Sequence, residues 1–250
     1  MDELEKLKTE NEQLKKICEN RSDIISITAH QLRTSLSALK WILKMLMDED
    51  VGKLTYEQRE LINKAFCSNE RMLAVINDLL TLSHTEDSSI SYNFQKTDIL
   101  KLVEQIFFEF YEEANKKEVD LIFLKPEMVI PQIVCDKEMI HVVIQNLVEN
   151  SIKYSNPRGK VFISLKQKDK EVELSVHDGG IGINSEDMNS IFKKFFRAQN
   201  AIKKDSIGSG LGLFTTKTIV EKHHGKIWFE NTPSGGQPFL FHYQLIKYVV

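Results

Sequence analysis

The chain has 250 residues, a formal net charge of -3 and 42% apolar residues. This length allows more than one average domain core and fewer than three, and so small a net charge gives no reason to expect nucleic acid or a membrane surface as the main partner. The three cysteines, Cys18, Cys67 and Cys135, are widely spaced, match no zinc-binding pattern and suit reduced thiols in a cytosolic compartment.

Neither a membrane helix nor a signal peptide is predicted. No apolar run approaches the roughly 18 residues that a membrane helix needs, and the N-terminus lacks the basic-then-apolar pattern of a signal peptide. We therefore expect a soluble, cytoplasmic chain without a membrane segment. This expectation also suits the cytosolic part of a longer, membrane-anchored protein.

The first predicted element, within residues 1–20, is a coiled-coil helix. Leu4, Leu7, Asn11 and Leu14 alternate steps of three and four residues, which is the spacing of a heptad seam. Asn11 falls at a seam position where a buried asparagine typically fixes a parallel dimer in register. Two heptads alone leave a solvated single helix open as the alternative.

A helical hairpin is predicted next. The apolar seam continues in steps of four and three as Ile25, Ala29, Leu32, Leu36, Leu39, Leu43 and Leu46. Residues 48–53 interrupt it, where Gly52 can supply a helix stop, and Thr55 with Gln58 three residues later is a capping-box signal for a second helix. That helix repeats the spacing as Leu61, Ala65, Ser68, Met72, Val75, Leu79 and Leu82. One hairpin cannot cover both stripes, so two hairpins should pair into a dimeric four-helix bundle.

The remaining chain predicts a mixed fold. Residues 83–91 are polar and are interpreted as a linker. Helices are expected at about 98–117, 136–154 and 211–222, with a short apolar run at 129–134 between the first two. Alternating residues predict a β-hairpin at 161–165 and 172–176 around a turn at 168–170, and two further strands at 226–231 and 239–246. Mixed helices and antiparallel strands indicate an α+β layer fold for residues 95–250.

The first motif that suggests chemistry is HQLRT at residues 30–34. His30 follows the seam residue Ala29, so it should flank the bundle core and face solvent, with Thr34 one turn away on the same face. A neutral imidazole is a competent nucleophile toward phosphorus. Taken alone, an exposed helical histidine is more often an ordinary surface residue.

The second motif, NLVENSIKY at residues 146–154, lies on a predicted helix. Asn146, Asn150 and Lys153 fall on neighbouring rows of that helix. Asparagine oxygens are suitable ligands for Mg²⁺ that keeps phosphate oxygens in its shell, and Lys153 adds positive charge toward the phosphates. A helix with an ordinary polar face is the alternative interpretation.

Two glycine-rich segments complete the set. DGGIG at residues 178–182 ends a predicted strand, where glycines let the backbone approach a flat ligand and Asp178 can accept a hydrogen bond from an amino group. GSGLGL at residues 208–213 runs into a helix, whose first N–H groups form an anion site. It is not the dinucleotide fingerprint, which needs its glycines just after a strand. Each segment alone also fits a glycine-rich turn.

Together these motifs resemble those of the histidine kinases of two-component signalling, over roughly residues 20–250. Residues 30–34 resemble the phosphoacceptor box of that family, 146–154 its N box, 178–182 and 208–213 its two glycine boxes, and 191–197 its phenylalanine box. The resemblance implies a multidomain protein: a signalling helix at 1–20, an all-α dimerisation and histidine phosphotransfer hairpin at 21–90 that forms a dimeric four-helix bundle, and an α+β two-layer sandwich of the Bergerat ATP-binding type at 95–250.

The resemblance also supplies residue roles. Asp178 is implied to bind the adenine amino group, Tyr154 to lie against the base or its sugar, Asn150 with Asn146 to hold Mg²⁺, and Lys153 to contact phosphate. The implied ATP-binding set is Asn146, Asn150, Lys153, Tyr154, Asp178, Gly180, Gly182, Phe192, Gly208, Gly210, Leu211, Gly212 and Leu213, and the implied catalytic set is His30, Gln31, Arg33, Thr34 and Arg197.

The implied reaction is transfer of the γ-phosphoryl group of ATP to His30 and then to an aspartate of a response-regulator receiver domain, within a homodimer and without nucleic acid. Arg197 would stabilise charge on the transferring group. Gly208, Gly210 and Gly212 would shape a lid over the triphosphate. Thr34 would position water when phosphate is removed from the receiver, which is a phosphatase activity.

Three positions depart from the family pattern. Gln31 stands where an acidic residue usually accepts the proton of the histidine, and a glutamine can hold the imidazole tautomer but cannot act as a base. Ser35 stands where proline is usual, so the first helix should be straighter and stiffer. Pro238 lies near the position where relatives often place a small hydroxyl residue beside adenine.

Three alternatives to the kinase remain. Gyrase-type and chaperone ATPases share the nucleotide fold but carry a glutamate four residues before the Mg²⁺-binding asparagine, where this chain has Asn146. A nucleotide-binding scaffold, or pseudokinase, is kept open by Gln31 and Ser35. Metal binding by the seven histidines is poorly supported, because His223 and His224 are adjacent, point apart at a helix end and have no nearby ligand at suitable spacing.

Overall fold

The computed structural model describes residues 2–86, 92–168, 171–205, 208–231 and 239–247. The chain divides into two compact units, one of residues 1–91 with 207–211 and one of residues 92–206 with 212–250. The predicted turn residues 169 and 170 and the predicted adenine neighbour Pro238 lie outside the described residues.

The first unit is a hairpin of two long helices, as predicted. Helix α1 spans Asp2–Met47 and helix α2 spans Tyr56–Glu86. The capping box is confirmed, because the Thr55 backbone N–H donates to Gln58 Oε1 at 2.9 Å and the Gln58 N–H donates to the Thr55 hydroxyl at 3.2 Å. Helix α1 continues through Ser35, whose hydroxyl donates to the Gln31 carbonyl oxygen at 3.1 Å.

The two helices meet through only part of their apolar surface. Ala29 packs with Ile76 and Leu80, and Leu36 is half-buried against them. The α2 residues in this contact are neighbours of the predicted seam, not members of it. The seam residues Leu32, Leu39, Met72 and Val75 instead keep 48%, 41%, 45% and 40% of their surface exposed.

One hairpin prediction is partly wrong, and others concern parts of the chain that the structure does not describe. The linker predicted at 83–91 is wrong for its first four residues, because α2 continues to Glu86; polar residues without glycine or proline do not by themselves end a helix. Residues 87–91 lie outside the described part of the chain. So do the side chains of the following helix residues, for which the seam and thiol predictions stand untested: Leu4, Leu7, Asn11, Leu14, Cys18, Ile25, Leu79 and Leu82.

The second unit is an α+β structure, as predicted. Its strands are β1 Phe94–Thr97, β2 Asp120–Leu124, β3 Ile133–Asp136, β4 Lys160–Lys168, β5 Glu171–Asp178, β6 Lys226–Asn231 and β7 Phe239–Lys247. Its helices are α3 Ile99–Lys116, α4 Lys137–Tyr154, α5 Gln199–Lys204 and α6 Gly212–Lys222. Aspartates cap two of these helices: Asp98 accepts from the Lys101 N–H, and Asp136 accepts from the N–H groups of Glu138 and Met139.

The sheet has five strands in the order β2-β4-β5-β7-β6, and β1 pairs with β3 in a separate antiparallel ribbon. The predicted hairpin of β4 and β5 and the pair of β6 and β7 are antiparallel, as expected. Strand β2, which lies outside the predicted strands, pairs parallel with β4. Strand β2 and the ribbon strand β1 were not predicted, because runs of four or five residues carry too little periodicity.

Helices α3, α4 and α6 cover the sheet and enclose its core. The five α4 residues predicted to point inward, namely Ile140, Val143, Ile144, Leu147 and Val148, are all fully buried. The apolar run predicted at 129–134 is a strand only at its end, where β3 begins, and Val129 is exposed. Burial of one α4 face directs its other face, with the N-box polar residues, away from the core.

A buried histidine joins the end of α6 to the start of α4. His223 Nε2 accepts a hydrogen bond from the Asp136 N–H at 3.0 Å, and His223 Nδ1 donates to the Ile219 carbonyl oxygen at 2.8 Å. Tyr92 packs edge-on against the imidazole, with ring centroids 5.3 Å apart. Burial lowers the pKa of His223, although Ile219 and Asp136 oppose the shift. The arrangement requires a neutral ring, because a protonated Nε2 would face another donor.

We therefore expect the second unit to lose stability in acid through His223. With the folded pKa below the unfolded value of about 6.5, the unfolded chain binds the extra proton, so the free energy of unfolding falls as the pH drops below about 6.5. Replacing His223→Gln should reduce that pH dependence and cost about 1–3 kcal/mol at pH 7.5.

The measurement is urea unfolding at pH 7.5 and 5.5, followed by Trp228 fluorescence in a Trp41→Phe background. The matched control is His30→Gln, because His30 is exposed and belongs to the other unit, whereas the neighbouring His224 itself contributes to the lowered pKa of His223. An unchanged pH dependence in His223→Gln would contradict the assignment.

Candidate nucleotide and phosphoacceptor sites

The HQLRT motif lies on the solvent side of α1. His30 is exposed and directly follows Ala29, which is buried within the hairpin, as predicted. The Thr34 hydroxyl donates to the His30 carbonyl oxygen at 3.1 Å, and the four-residue spacing puts both side chains on one helix face. Gln31 and Arg33 are also exposed. The imidazole is therefore accessible to a reactant from solvent.

In the second unit, Asp178 is a buried carboxylate at the end of β5. Only 4% of Asp178 is exposed, and the Gly180 N–H donates to Asp178 Oδ1 at 2.9 Å. Burial raises the pKa of Asp178 to about 6, although Ser151, the Gly180 N–H and Lys204 favour the charged form. Such a carboxyl group is a strong acceptor for a ligand that brings its own N–H donor into a water-poor site.

Gly180 closes this part of the site against the end of α4. It forms an isolated β-bridge with Ser155, and the Ile181 N–H donates to the Tyr154 carbonyl oxygen at 3.2 Å. A Cβ at Gly180 would overlap the Tyr154 carbonyl oxygen and lie 2.6 Å from Asp178 Oδ1. Only glycine fits here. Because Gly180 lies directly against the end of α4, the first glycine box and the N box form two walls of one site.

Two predicted phosphate-binding cations meet at an aspartate that was not predicted. Lys153 Nζ lies 3.1 Å from Asp205 Oδ2, and Arg197 Nη2 donates to the Asp205 carbonyl oxygen at 2.5 Å. Lys153 Nζ also lies 5.6 Å from the ring centre of Tyr154. Asp205 directly follows α5. Its carboxylate contacts Lys153 on α4, and its carbonyl oxygen contacts Arg197, which precedes α5.

The predicted Mg²⁺ ligands lie one turn apart on α4. Asn146 Nδ2 lies 3.4 Å from Thr216 Oγ1 and 3.5 Å from the Gly212 carbonyl oxygen, at the start of α6. Asn150 is half-buried. The two amide oxygens fit Mg²⁺ that takes its other ligands from phosphate and water. Within the described residues, no group of three or more His, Cys, Asp or Glu side chains is arranged to hold a metal ion.

The second glycine box leads into α6, which begins one residue later than predicted, at Gly212. Gly210 has a φ of 73°, and the Leu211 N–H donates to Ser209 Oγ at 3.0 Å. Leu213 and Phe192 are half-buried against the core of the second unit. Gly182, in the first glycine box, and Gly208, in the second, also have a positive φ.

Two known domain families match this chain. Residues 20–88 match the His Kinase A (phospho-acceptor) domain, and residues 135–247 match the histidine kinase-, DNA gyrase B- and HSP90-like ATPase domain. The chain belongs to the sensor histidine kinase family. The predicted family and fold class are thereby confirmed.

Individual histidine kinases agree with this assignment. The adaptive-response sensory kinase SasA of Crocosphaera subtropica is 30% identical over 99% of this chain and 65% of its own length. The signal transduction histidine-protein kinase BaeS of Escherichia coli is 30% identical over 94% of this chain and 50% of its own length. The chain thus spans less than two thirds of either relative.

A solved structure shows the same fold. Full-length ShkA, crystallised in complex with AMPPNP, superposes with a TM-score of 0.70 over 91% of this chain and 46% of its own, at 22% identity. Among the described helices of this histidine kinase, none is long and apolar enough to cross a membrane.

The sequence did not predict helix α5, yet α5 contacts both walls of the candidate nucleotide site. Asn200 Nδ2 donates to the Gly182 carbonyl oxygen at 2.6 Å, and Lys204 Nζ donates to the Tyr154 carbonyl oxygen at 2.8 Å. Six residues of mixed polarity give no helical periodicity to detect. The available signal was the four-residue spacing of Asn200 and Lys204 just after the phenylalanine box, which puts both on one helix face.

Proposed function

We propose that this chain is the catalytic core of a sensor histidine kinase, which transfers the γ-phosphoryl group of ATP to its own His30. The observation that carries the proposal is the presence, in one chain, of an exposed helical histidine and a nucleotide-type site built on Asp178 and the polar face of α4. Matches to a phosphoacceptor domain and an ATPase domain support it.

The base of ATP binds beside Asp178, whose carboxylate accepts a hydrogen bond from the adenine amino group. Tyr154 lies against the base or sugar, and Gly180 and Gly182 allow close backbone approach. Phe192 and the lid residues Gly208, Gly210, Leu211, Gly212 and Leu213 enclose the nucleotide. The burial of Asp178 supports this role, because a water-poor carboxylate favours a ligand that donates to it.

The triphosphate lies along the polar face of α4. Asn150 and Asn146 hold Mg²⁺, which when bound neutralises charge on the phosphate oxygens. Lys153 binds a phosphate oxygen, and Arg197 stabilises charge on the transferring group. A ring nitrogen of His30 attacks the γ-phosphorus in line; the N–P bond forms as the bond to the bridging oxygen breaks, and ADP leaves. Gln31 holds the imidazole tautomer, and Arg33 belongs to the same catalytic set.

The phosphohistidine then donates to an aspartate on a response-regulator receiver domain docked against the hairpin, and Thr34 positions water when the receiver is dephosphorylated. Two hairpins pair into a four-helix bundle; exposure of Leu32, Leu39, Met72 and Val75 supports that pairing, since water-exposed apolar stripes favour association. Residues 1–20 act as a signalling helix, 21–90 as the dimerisation and phosphotransfer domain, and 95–250 as the catalytic domain.

The same proposal places the core in the cytoplasm, where it can be part of a longer membrane-anchored sensor. The free thiols of Cys67 and Cys135 support a reducing compartment. The second candidate is a nucleotide-binding scaffold, which Gln31 favours because a glutamine cannot take up the proton of the attacking imidazole.

The test is incubation of the full chain with γ-labelled ATP and Mg²⁺. A kinase should incorporate label that is acid-labile and base-stable, as phosphohistidine is. Absence of label despite measurable ADP binding would favour the scaffold, and release of labelled phosphate without labelled protein would favour a simple ATPase.

A further inference from the structure

Helix α5 makes side-chain contacts to both backbone walls of the adenine subsite. Asn200 and Lys204 are four residues apart and lie on one helix face. Asn200 Nδ2 donates to the carbonyl oxygens of Gly182 and Ile181, at 2.6 and 3.4 Å. Both acceptors belong to the first glycine box, so these hydrogen bonds hold the start of α5 against the segment that follows Asp178.

The other end of α5 is tied to the wall that follows α4. Lys204 Nζ donates to the carbonyl oxygens of Tyr154 and Ser155, at 2.8 and 2.5 Å, and lies 3.5 Å from Asn156 Oδ1. These carbonyls end α4, where a cation interacts favourably with the helix dipole. The Tyr154 carbonyl oxygen is shared with the Ile181 N–H, so the ammonium group lies where the two walls pair.

The same ammonium group acts on the carboxylate that the walls enclose. Three groups favour the charged form of Asp178: the Ser151 hydroxyl on α4, the Gly180 N–H in the glycine box, and Lys204 on α5. Among these, Lys204 is the one that carries a formal charge. The attraction is mutual: burial lowers the pKa of Lys204, and Asp178 opposes that shift.

We propose that Lys204 is a positioning residue of the adenine subsite: it holds the end of α4 against the first glycine box and keeps Asp178 in the carboxylate form that accepts the adenine amino group. Asn200 supports it by fixing the opposite end of α5. This inference rests on the proposed role of Asp178 in binding adenine. It assigns a task to α5 that is separate from phosphate contact.

The experiment measures ADP affinity in Mg²⁺ buffer by calorimetry from pH 5 to pH 8, for the full chain and three variants. The wild-type affinity should fall as the pH drops through about 6, where Asp178 takes up its proton. In Lys204→Met and Lys204→Gln the midpoint of that fall should move to higher pH by about half a unit or more, because the stabilising charge is gone. Lys204→Arg keeps the charge and should keep the midpoint.

The three variants distinguish the effect of the Lys204 charge from the effect of its packing. Glutamine retains a hydrogen-bond donor without the charge, so a midpoint shift is expected in both Lys204→Gln and Lys204→Met. For a shift of half a unit, the loss of affinity should be about threefold at pH 5 and should disappear toward pH 8. A loss that is uniform from pH 5 to pH 8, or no loss at all, would overturn the proposal. Circular dichroism checks that each variant is folded.

A wrong assignment of Asp178 would give a different result. Asp178→Asn in the wild-type background should weaken ADP binding about 10- to 150-fold at pH 7.5, where the wild-type carboxylate is charged. If Asp178→Asn binds ADP normally, the adenine assignment itself is wrong. If Asp178→Asn loses binding but the Lys204 variants keep the wild-type midpoint, only the inference about Lys204 is wrong.

Discussion

Replacing His30→Gln is expected to reduce the incorporation of label from γ-labelled ATP to background, a loss of at least about 1,000-fold, because no other atom then takes the place of the nucleophile. Glutamine suits an exposed helix position and keeps polarity, so the hairpin should still form. ADP affinity should be unchanged, since the nucleotide site lies on other elements.

The matched control is His224→Asn, which removes another exposed histidine and should leave labelling intact. Label that persists at a wild-type level in His30→Gln would contradict His30 as the acceptor. Label of reduced amount that is acid-stable would indicate a hydroxyl acceptor elsewhere in the chain.

Replacing Asp178→Asn should weaken ADP binding and at the same time stabilise the protein. An amide cannot reproduce a charge-assisted hydrogen bond to the adenine amino group, and a loss of about 1.5–3 kcal/mol corresponds to about 10- to 150-fold in affinity. The asparagine can still accept the Gly180 N–H through its side-chain oxygen. Function and stability therefore move in opposite directions at this residue.

The expected gain in stability follows from the direction of the pKa shift. The pKa of Asp178 is raised from 3.8 to about 6 in the folded chain, so the folded state binds the proton more tightly than the unfolded state. Stability is then lost as the pH rises from about 3.8 through 6. At pH 7.5 the asparagine removes a penalty on the order of 2–3 kcal/mol.

Urea unfolding followed by Trp228 fluorescence, in a Trp41→Phe background, measures this gain at pH 7.5 and its disappearance toward pH 4. Glu186→Gln, an exposed carboxyl-to-amide change, is the control and should alter neither stability nor ADP affinity by much. A destabilised Asp178→Asn at pH 7.5 would contradict the account.

The sequence predicted those features that depend on local patterns. The capping box of Thr55 and Gln58 needs only a three-residue spacing, and the buried face of α4 follows from helical periodicity. The exposure of His30 followed from its place beside the seam. Family membership was predicted from five motifs in order and is confirmed. The residue roles and the domain boundaries stay predictions.

The features that escaped prediction depend on long-range partners. Strand β2 forms because Leu121 and Ile122 pair with Val161 and Phe162, about forty residues away, and its own five residues carry little signal. Lys204 gains its place through carbonyl oxygens near residue 155, and a backbone acceptor leaves no trace in the sequence. The salt bridge of Asp205 with Lys153 was missed because its two side chains lie far apart in the sequence.

The contacts of Asp205 affect the free energy with which the proposed site would bind a nucleotide. Lys153 and Arg197 are already engaged by Asp205, so neither cation lies unpaired while the phosphates are elsewhere. Under the proposed function, phosphate oxygens replace the Asp205 carboxylate at Lys153 and the Asp205 carbonyl oxygen at Arg197, so ATP binding does not simply add charge to a positive surface. The phosphate contribution to affinity is then a difference between two competing partners. On that proposal, the Asp205 carboxylate competes with the triphosphate for Lys153 and lowers phosphate affinity without touching the base.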